Sequence, residues 1–512
     1  MNKQIRGLAA FVLLCYVALF GKLTQIQLVQ APSLNTRPDN TRSLERDFNR
    51  PRGSIATADG VVVARSVETT GRLKFQRQYP ENDLFAHVVG SFSYQFGADG
   101  VEKVYNAELS GQTAALQLRG FSNPFVKHSN EGNVQLTLRR DVQQVAKDAL
   151  GTRKGSVVAL DPRTGAVLAM WSYPSYDPNL TSSNDPAIAG AFRQVLNDNP
   201  EKPNLARTYR ERYFPGSTFK VVTATAGVQS EKVTDTQPVF PRVSSYTPPL
   251  TTRSLSNFGG STCGGALPDI IRVSCNSAFA QMGAEVIGPD LMVSKAQDFG
   301  FNDAPPIDLP QGVRSIFPTD YGKRVRASQT PGWADVYEDS AKLAQASIGQ
   351  NSVSATPLQM ALVAAGIADR GSILVPHVMS QVTDANGAVV EKYESKVWKT
   401  ATTPEAADVL RHDMIGVAES GTATAVRISG VEIGAKTGTA QLGTPEPRSH
   451  AWIIAFAGPP GAPPEVAVAV LVEGQPGASE QTGGRVAAPI ARAVIQAALA
   501  PVRTVPQAGG GR

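Results

Sequence analysis

The stretch Phe214-Pro215-Gly216-Ser217-Thr218-Phe219-Lys220-Val221-Val222 sets the reading of the whole chain. Ser217 and Lys220 stand three apart, and residues three apart share one face of a helix. Pro215 and Gly216 suit a helix start, and the apolar residues that follow suit a buried helix. Chemistry can use this spacing. A serine hydroxyl is a weak nucleophile until a neighbouring group takes its proton. A lysine amine can take it once burial or a second cation has lowered its pKa. Ser217 would also sit at a helix N-terminus, where free backbone N–H groups favour negative charge. Alone, a Ser-x-x-Lys arises about once by chance in a chain of this length. It then reads as well as a capping serine beside a surface lysine.

Two later stretches change the odds. One is Ser274-Cys275-Asn276, and the other is Lys436-Thr437-Gly438-Thr439. A Ser-x-Asn is also expected about once by chance, but a given Lys-Thr-Gly-Thr only in about one such chain in a hundred. In this order the three resemble the motif set of serine acyl-transferases shared by penicillin-binding proteins and β-lactamases. Other chemistries fit poorly. Pro215 occupies the first glycine position of a Gly-x-Ser-x-Gly elbow. The five histidines, 87, 128, 377, 412 and 450, have no metal-ligand spacing. No Gly-x-x-x-x-Gly-Lys-Ser/Thr phosphate loop is present. No metal or cofactor is expected.

The 512 residues are 42% hydrophobic and 18% charged, enough for at least two domains with real cores. The net charge of +5 is spread along the chain and reads as a solvated surface, with no nucleic-acid partner expected. Gly7 to Gly21 carries no charge, Lys3 and Arg6 precede it, and Lys22 can snorkel before Leu23 to Val29 continues. This is the pattern of a retained membrane anchor over 7–29, with residues 1–6 cytoplasmic and the remainder outside. A cleaved signal peptide is the other reading.

Residues 32 to 50 read as a polar linker. Residues 35–134 read as a small α+β domain without chemistry of its own, with a hairpin at Asp59-Gly60 and a helix opening near Gly97–Tyr105. From 135 to 502 the expected order is a helix at Val142–Leu150, a hairpin at Gly155–Trp171, and a long helical region containing Ser217. A loop follows over 239–268, then a helix carrying Ser274 and Asn276 at its start and another over Ser354–Gly366. Strands at 433–441, 451–457 and 466–473 and a last helix at 487–500 complete it. Strands at both ends with helices between predict an α/β unit whose termini meet in one antiparallel sheet, helices on both faces, beside an all-helical lobe. Residues 503–512 read as a disordered tail.

On these motifs the chain resembles the class B penicillin-binding proteins, the actinobacterial penicillin-binding protein A type in particular. Arg52-Gly53-x-Ile55 with Asp59-Gly60, Gly97-x-x-Gly100-x-Glu102-x-x-Tyr105 and Thr356-Pro357-Leu358-Gln359-Met360 resemble its flanking segments. Gly349-Gln350-Asn351 departs from the family by an asparagine where a second glycine is usual, a change that left-handed backbone tolerates. The resemblance implies D,D-transpeptidation of peptidoglycan stem peptides ending in D-Ala-D-Ala, acylation by β-lactams, and a separate lipid-linked glycan polymerase of the SEDS type as partner. It implies Ser217 as nucleophile, Lys220 as its base and Ser274 as proton relay. Asn276 would hold Lys220 and the substrate backbone, and Lys436 would supply positive potential. Thr437 and Thr439 would donate to the substrate carboxylate, and Gly438 would leave room for the substrate at the strand edge. The N–H groups of Ser217 and Thr439 would form the oxyanion hole.

Two other function classes stand beside this one. A carboxypeptidase or β-lactamase would hydrolyse the acyl-serine, though no Glu-x-x-x-Asn lies between Ser274 and Lys436. A β-lactam sensor or scaffold would stay acylated or bind without turnover. Cys263 and Cys275 lie outside the membrane in this topology, where either a short disulfide or two buried thiols would persist.

Overall fold

The computed structural model describes residues 2–26, 41–120, 130–442, 448–475 and 481–502. The far end of the expected anchor, the start of the linker, residues 443–447 between the expected strands at 433–441 and 451–457, and the tail after 502 lie outside the described residues. Helix Asn2–Thr24 holds a stretch, Lys3–Thr24, with mean hydropathy 1.9 and no part buried against the rest of the chain. At 1.5 Å per residue it reaches about 33 Å, enough to cross a bilayer's hydrocarbon core.

The central sheet has five antiparallel strands in the order Glu432–Gln441, Ser449–Gly458, Val466–Val472, Gly155–Leu160, Val167–Tyr173. First and last parts of the chain meet in it, as expected. Its inner strands are buried at every position rather than alternating, and Val466–Val472 is an unbroken run of Ala, Val and Leu, because both faces are covered and no position is left for a solvated side chain. Arg140–Leu150 and Ala488–Leu499 pack together on one face. Pro357–Ala368, buried along its whole length, covers the other. Thr356 caps that helix through Gln359 N. Strand Glu432–Gln441 is an edge strand, with helix Pro404–Ser420 against it and the Gly216–Phe219 turn beside it.

Three expectations need correction. The long region after Asn179 that contains Ser217 is not continuously helical. Helices Pro178–Thr181 and Pro186–Asp198 end before an irregular stretch containing Pro200, Pro203 and Pro215, and helix resumes only at Gly216. Residues 239–268 are not plain loop. They hold two short ladders, Phe240–Val243 with Cys263–Gly265 and Ser245–Tyr246 with Leu255–Ser256. Ser274 is not in a helix start but in the junction between Leu267–Arg272 and Asn276–Gln281.

The N-terminal region shares its sheet with the rest of the chain. Strands Ile55–Ala56, Val62–Glu68, Phe75–Gln78 and Asn133–Leu136 are joined by Met379–Thr383 and Val389–Lys392. The expected boundary at 134/135 runs through a strand. Side chains cross between the regions too. Arg210 forks onto Asp99 at 2.8 and 3.0 Å. Tyr105 donates to Asp308, which also accepts N–H bonds from Val378 and Met379.

Inside the N-terminal region Glu102 is fully buried between two buried arginines, 2.7 Å from Arg52 Nε and 2.6 Å from Arg77 Nε. The arginines outweigh the cost of burial and hold the Glu102 carboxyl below its usual range. Removing one partner of such a cluster leaves uncompensated buried charge, at a cost of about 3–5 kcal/mol. Glu102→Ala is therefore expected to lower the urea-unfolding free energy by that order. Glu81→Ala, which breaks a partly exposed pair with Arg140, costs under about 1 kcal/mol. Equal losses would contradict the assignment.

Candidate active site

The motif containing Ser217 starts as a 3-10 turn, Gly216–Phe219, and continues as helix Lys220–Gln229. It is held from several sides. Gly216, at φ +54°, donates to Gly349 O at 2.9 Å. Gly349 lies so close that a Cβ there would fall 2.1 Å from Gly216 O. Trp452 Nε1 donates to Phe214 O, and Phe219 packs between Phe301 and Phe317. Ser217 itself is half-buried and faces a cleft.

Behind it lies a buried polar chain. Lys220 Nζ donates to Ser274 O and to Asn276 Oδ1, both at 2.7 Å, and stands 3.3 Å from Ser274 Oγ. Lys436 Nζ donates to the same Ser274 Oγ at 2.8 Å and to Thr437 O at 2.9 Å. Both lysines are fully buried. Burial, and then the charge of Lys436, hold Lys220 well below the usual lysine range. Burial pushes Lys436 down to about 7. One hydroxyl thus bridges two amines, each easily left neutral, which is an arrangement that can accept, pass and return a proton.

Ser274 owes this position to its backbone. Its φ is +60°, a left-handed conformation that side chains other than glycine's adopt at a cost. It turns both the carbonyl and the hydroxyl of one residue toward Lys220. The turn is fastened by the Cys263–Cys275 disulfide and by Asn257 Oδ1, which accepts from Ser277 N.

The cleft is about 1070 Å³. Ser217, Ser274, Asn276, Thr437 and Thr439 all line it. Asn276 holds Lys220, while its Nδ2 donates to Ser256 O at 3.1 Å. Gly438 serves the serine turn rather than open space at the strand edge. A Cβ there would lie 2.9 Å from Pro215 O and 3.0 Å from Thr218 Cγ2. Asn351, at φ +61°, accepts the left-handed backbone foreseen for it and lines the cleft.

Several lining residues escaped sequence reasoning. Thr422 shares a 2.6 Å hydroxyl contact with Thr437. Its neighbour Gly421 sits where a Cβ would be 2.4 Å from Arg272 O, so this turn packs on the helix that leads to Ser274. The signal was Ser420-Gly421-Thr422 at a helix end. Gly483, Gly484 and Arg485 also line the cleft, and the paired glycines before an alanine-rich helix were the available sign.

Comparison with known proteins agrees with this geometry. Residues 155–496 match the penicillin-binding protein transpeptidase domain, and residues 52–134 match the penicillin-binding protein A dimerisation domain. The chain belongs to the penicillin-binding transpeptidases. Within that family it is 39% identical to peptidoglycan D,D-transpeptidase PbpA of Mycolicibacterium smegmatis, covering 98% of this chain and 99% of that one. It is 38% identical, at the same coverage, to PbpA of Mycobacterium tuberculosis. The ceftriaxone acyl-enzyme structure of M. tuberculosis penicillin-binding protein A matches with TM-score 0.80 at 36% identity, over 89% of this chain and all of that one. The chain is thus a class B penicillin-binding protein of the A type, and the expected fold class holds.

The left-handed Ser274 gives a test. Ser274→Ala and Ser274→Gly both delete the bridging hydroxyl and are expected to slow acylation by a β-lactam roughly 10²–10³-fold. They differ in stability. Glycine adopts φ +60° freely, so the glycine variant should unfold about 1 kcal/mol later than the alanine one. Acylation at the native rate in either variant would remove Ser274 from the proton path.

Proposed function

We propose that this chain cross-links peptidoglycan stem peptides ending in D-alanyl-D-alanine through an acyl-serine intermediate, and that β-lactams acylate the same serine. The observation that carries the reading is the buried Lys220–Ser274–Lys436 hydrogen-bond chain against the Ser217 turn, in a member of the penicillin-binding transpeptidases.

The residues take these roles. Ser217 Oγ attacks the carbonyl of the penultimate D-alanine while Lys220 Nζ takes the hydroxyl proton. The tetrahedral oxyanion is held by the N–H groups of Ser217 and Thr439, donors typically worth about 3 kcal/mol each in such a barrier. As the C–N bond breaks, the proton passes from Lys220 through Ser274 Oγ to the departing D-alanine amine. The acceptor's amine then attacks the acyl-serine carbonyl and gives up its proton by the same route, and Ser217 is regenerated as the cross-link forms. Asn276 keeps Lys220 aligned. Lys436 sets the Ser274 hydroxyl, while Thr437 and Thr439 offer hydroxyls to the substrate's terminal carboxylate.

The chain is divided as a cytoplasmic start (1–6), a single span (7–29), a non-catalytic pedestal or dimerisation-type domain (35–134), a transpeptidase domain (135–502) and a tail (503–512). Lys3 and Arg6 before the apolar run favour a cytoplasmic N-terminus and an extracytoplasmic catalytic domain. The matched domains are described as a transpeptidase and a dimerisation domain, and the family resemblance favours a separate lipid-linked polymerase of the SEDS type as the partner that supplies the glycan strands.

Intact mass against time with benzylpenicillin tests the nucleophile. The native chain should gain one persistent penicilloyl adduct and Ser217→Ala none. An adduct on the variant would reject Ser217, and an adduct that vanishes as drug is consumed would replace the transpeptidase with a hydrolase.

A further inference from the structure

Among the described residues that line the cleft, only Arg485 bears a formal charge, and none is acidic. The remainder are hydroxyls, amides, glycines and a few apolar side chains. The two lysines behind the wall do not change this, because both are fully buried and their amines are committed to Ser274, Asn276 and Thr437 O. An anion entering the cleft therefore meets no lysine ammonium at its surface. It meets one guanidinium, which is exposed and makes no ion pair among the described residues.

The backbone before Arg485 is built to bring it there. Gly483 and Gly484 lie directly against the motif strand. A Cβ on Gly483 would fall 1.9 Å from Trp452 O and 2.8 Å from Gly438 O, and one on Gly484 would fall 2.4 Å from Thr422 O and 3.9 Å from Thr437 Cγ2. Only residues without side chains allow this segment to lie so close, and the next residue is Arg485. Arg485 thus follows directly on a residue packed against the Thr422–Thr437 hydroxyl pair and lines the same cleft. The lobe side of the cleft, at Gln345, Gln350 and Asn351, is neutral.

We propose that Arg485 is a specificity-determining residue that receives the terminal carboxylate of the donor peptide, or the carboxylate of a β-lactam, at the Thr422–Thr437 end of the cleft. The inference rests on the transpeptidase reading and moves the direct charge contact from Lys436 to Arg485. The chemistry favours the exchange. A guanidinium keeps its charge in proteins and matches a carboxylate with two parallel N–H bonds, whereas a buried amine that must also handle a proton is a poor fixed charge. Lys436 is left to orient Ser274.

The test compares benzylpenicillin with its methyl ester, which differ only in that one carboxylate. The probe reaction is acylation of the full-length chain in detergent, followed by mass. The native chain should react at least 10-fold faster with the acid than with the ester. Arg485→Ala should lose about 10-fold or more with the acid through weaker half-saturation rather than a lower limiting rate, and stay within about 2-fold with the ester. Arg485→Lys should recover part of the loss. An unchanged acid rate in Arg485→Ala overturns the proposal, and so does an equal loss with both compounds, which would mark a merely structural role. No acylation of the native chain by either compound would instead overturn the transpeptidase reading and this inference with it.

Discussion

The interaction on which the rest depends is the pair of bonds that meet at Ser274 Oγ, one from Lys436 at 2.8 Å and one linking it to Lys220 at 3.3 Å. Two buried amines held on one hydroxyl cannot both carry charge cheaply. The fold lowers the pKa of both: the sheet edge buries Lys436, and the helix after Ser217 buries Lys220. Everything nearby keeps these three residues in register. The motif strand is locked into the sheet, the serine turn is pressed between that strand and Gly349, and the Ser274 junction is tied down by a disulfide. The strain of a left-handed serine at the junction is the kind of local cost that functional sites retain.

This explains how three short motifs, far apart in sequence, act as one site. The sheet contributes one wall, the helical lobe the other, and each motif sits at the start or edge of an element rather than within it. Edges and starts are where backbone groups remain unpaired and side chains can converge. The N-terminal region joins the same body. Its sheet takes two strands from the C-terminal half, and Asp99 holds Arg210 in the irregular stretch that leads into Ser217. A change near Asp99 therefore bears on the backbone seven residues before the nucleophile.

Much of this was legible in the sequence, for identifiable reasons. The sheet strands are runs of β-branched and small apolar residues with clear turn signals, so strand and hairpin positions came out close to those observed. The motifs at Ser217, Ser274 and Lys436 were legible only together, because a Ser-x-x-Lys or a Ser-x-Asn is common alone while a Lys-Thr-Gly-Thr after both is rare. Four things were not. The ladders in 239–268 are two to four residues long and have no periodicity to detect. The helix expected before Ser217 is broken by Pro200, Pro203 and Pro215, which interrupt helix locally without disturbing the apolar pattern around them. The Thr422 and Gly483–Arg485 walls depend on close backbone approach, which a glycine permits but does not announce. The shared sheet across 134/135 is a long-range pairing that local pattern cannot carry.

In the folded protein Lys220 loses its proton below the ordinary lysine range. Carbon-13 NMR of ε-labelled lysine, with the Lys220 signal assigned by its loss in Lys220→Arg, measures this directly. Burial and the neighbouring Lys436 lower its pKa, so its proton must leave as pH rises through a value well below 10.5, and the amine is neutral above that value. A Cε resonance that titrates there would support the account. One that stays in the ammonium position up to the ordinary lysine range would contradict it, and would leave Ser217 without its base.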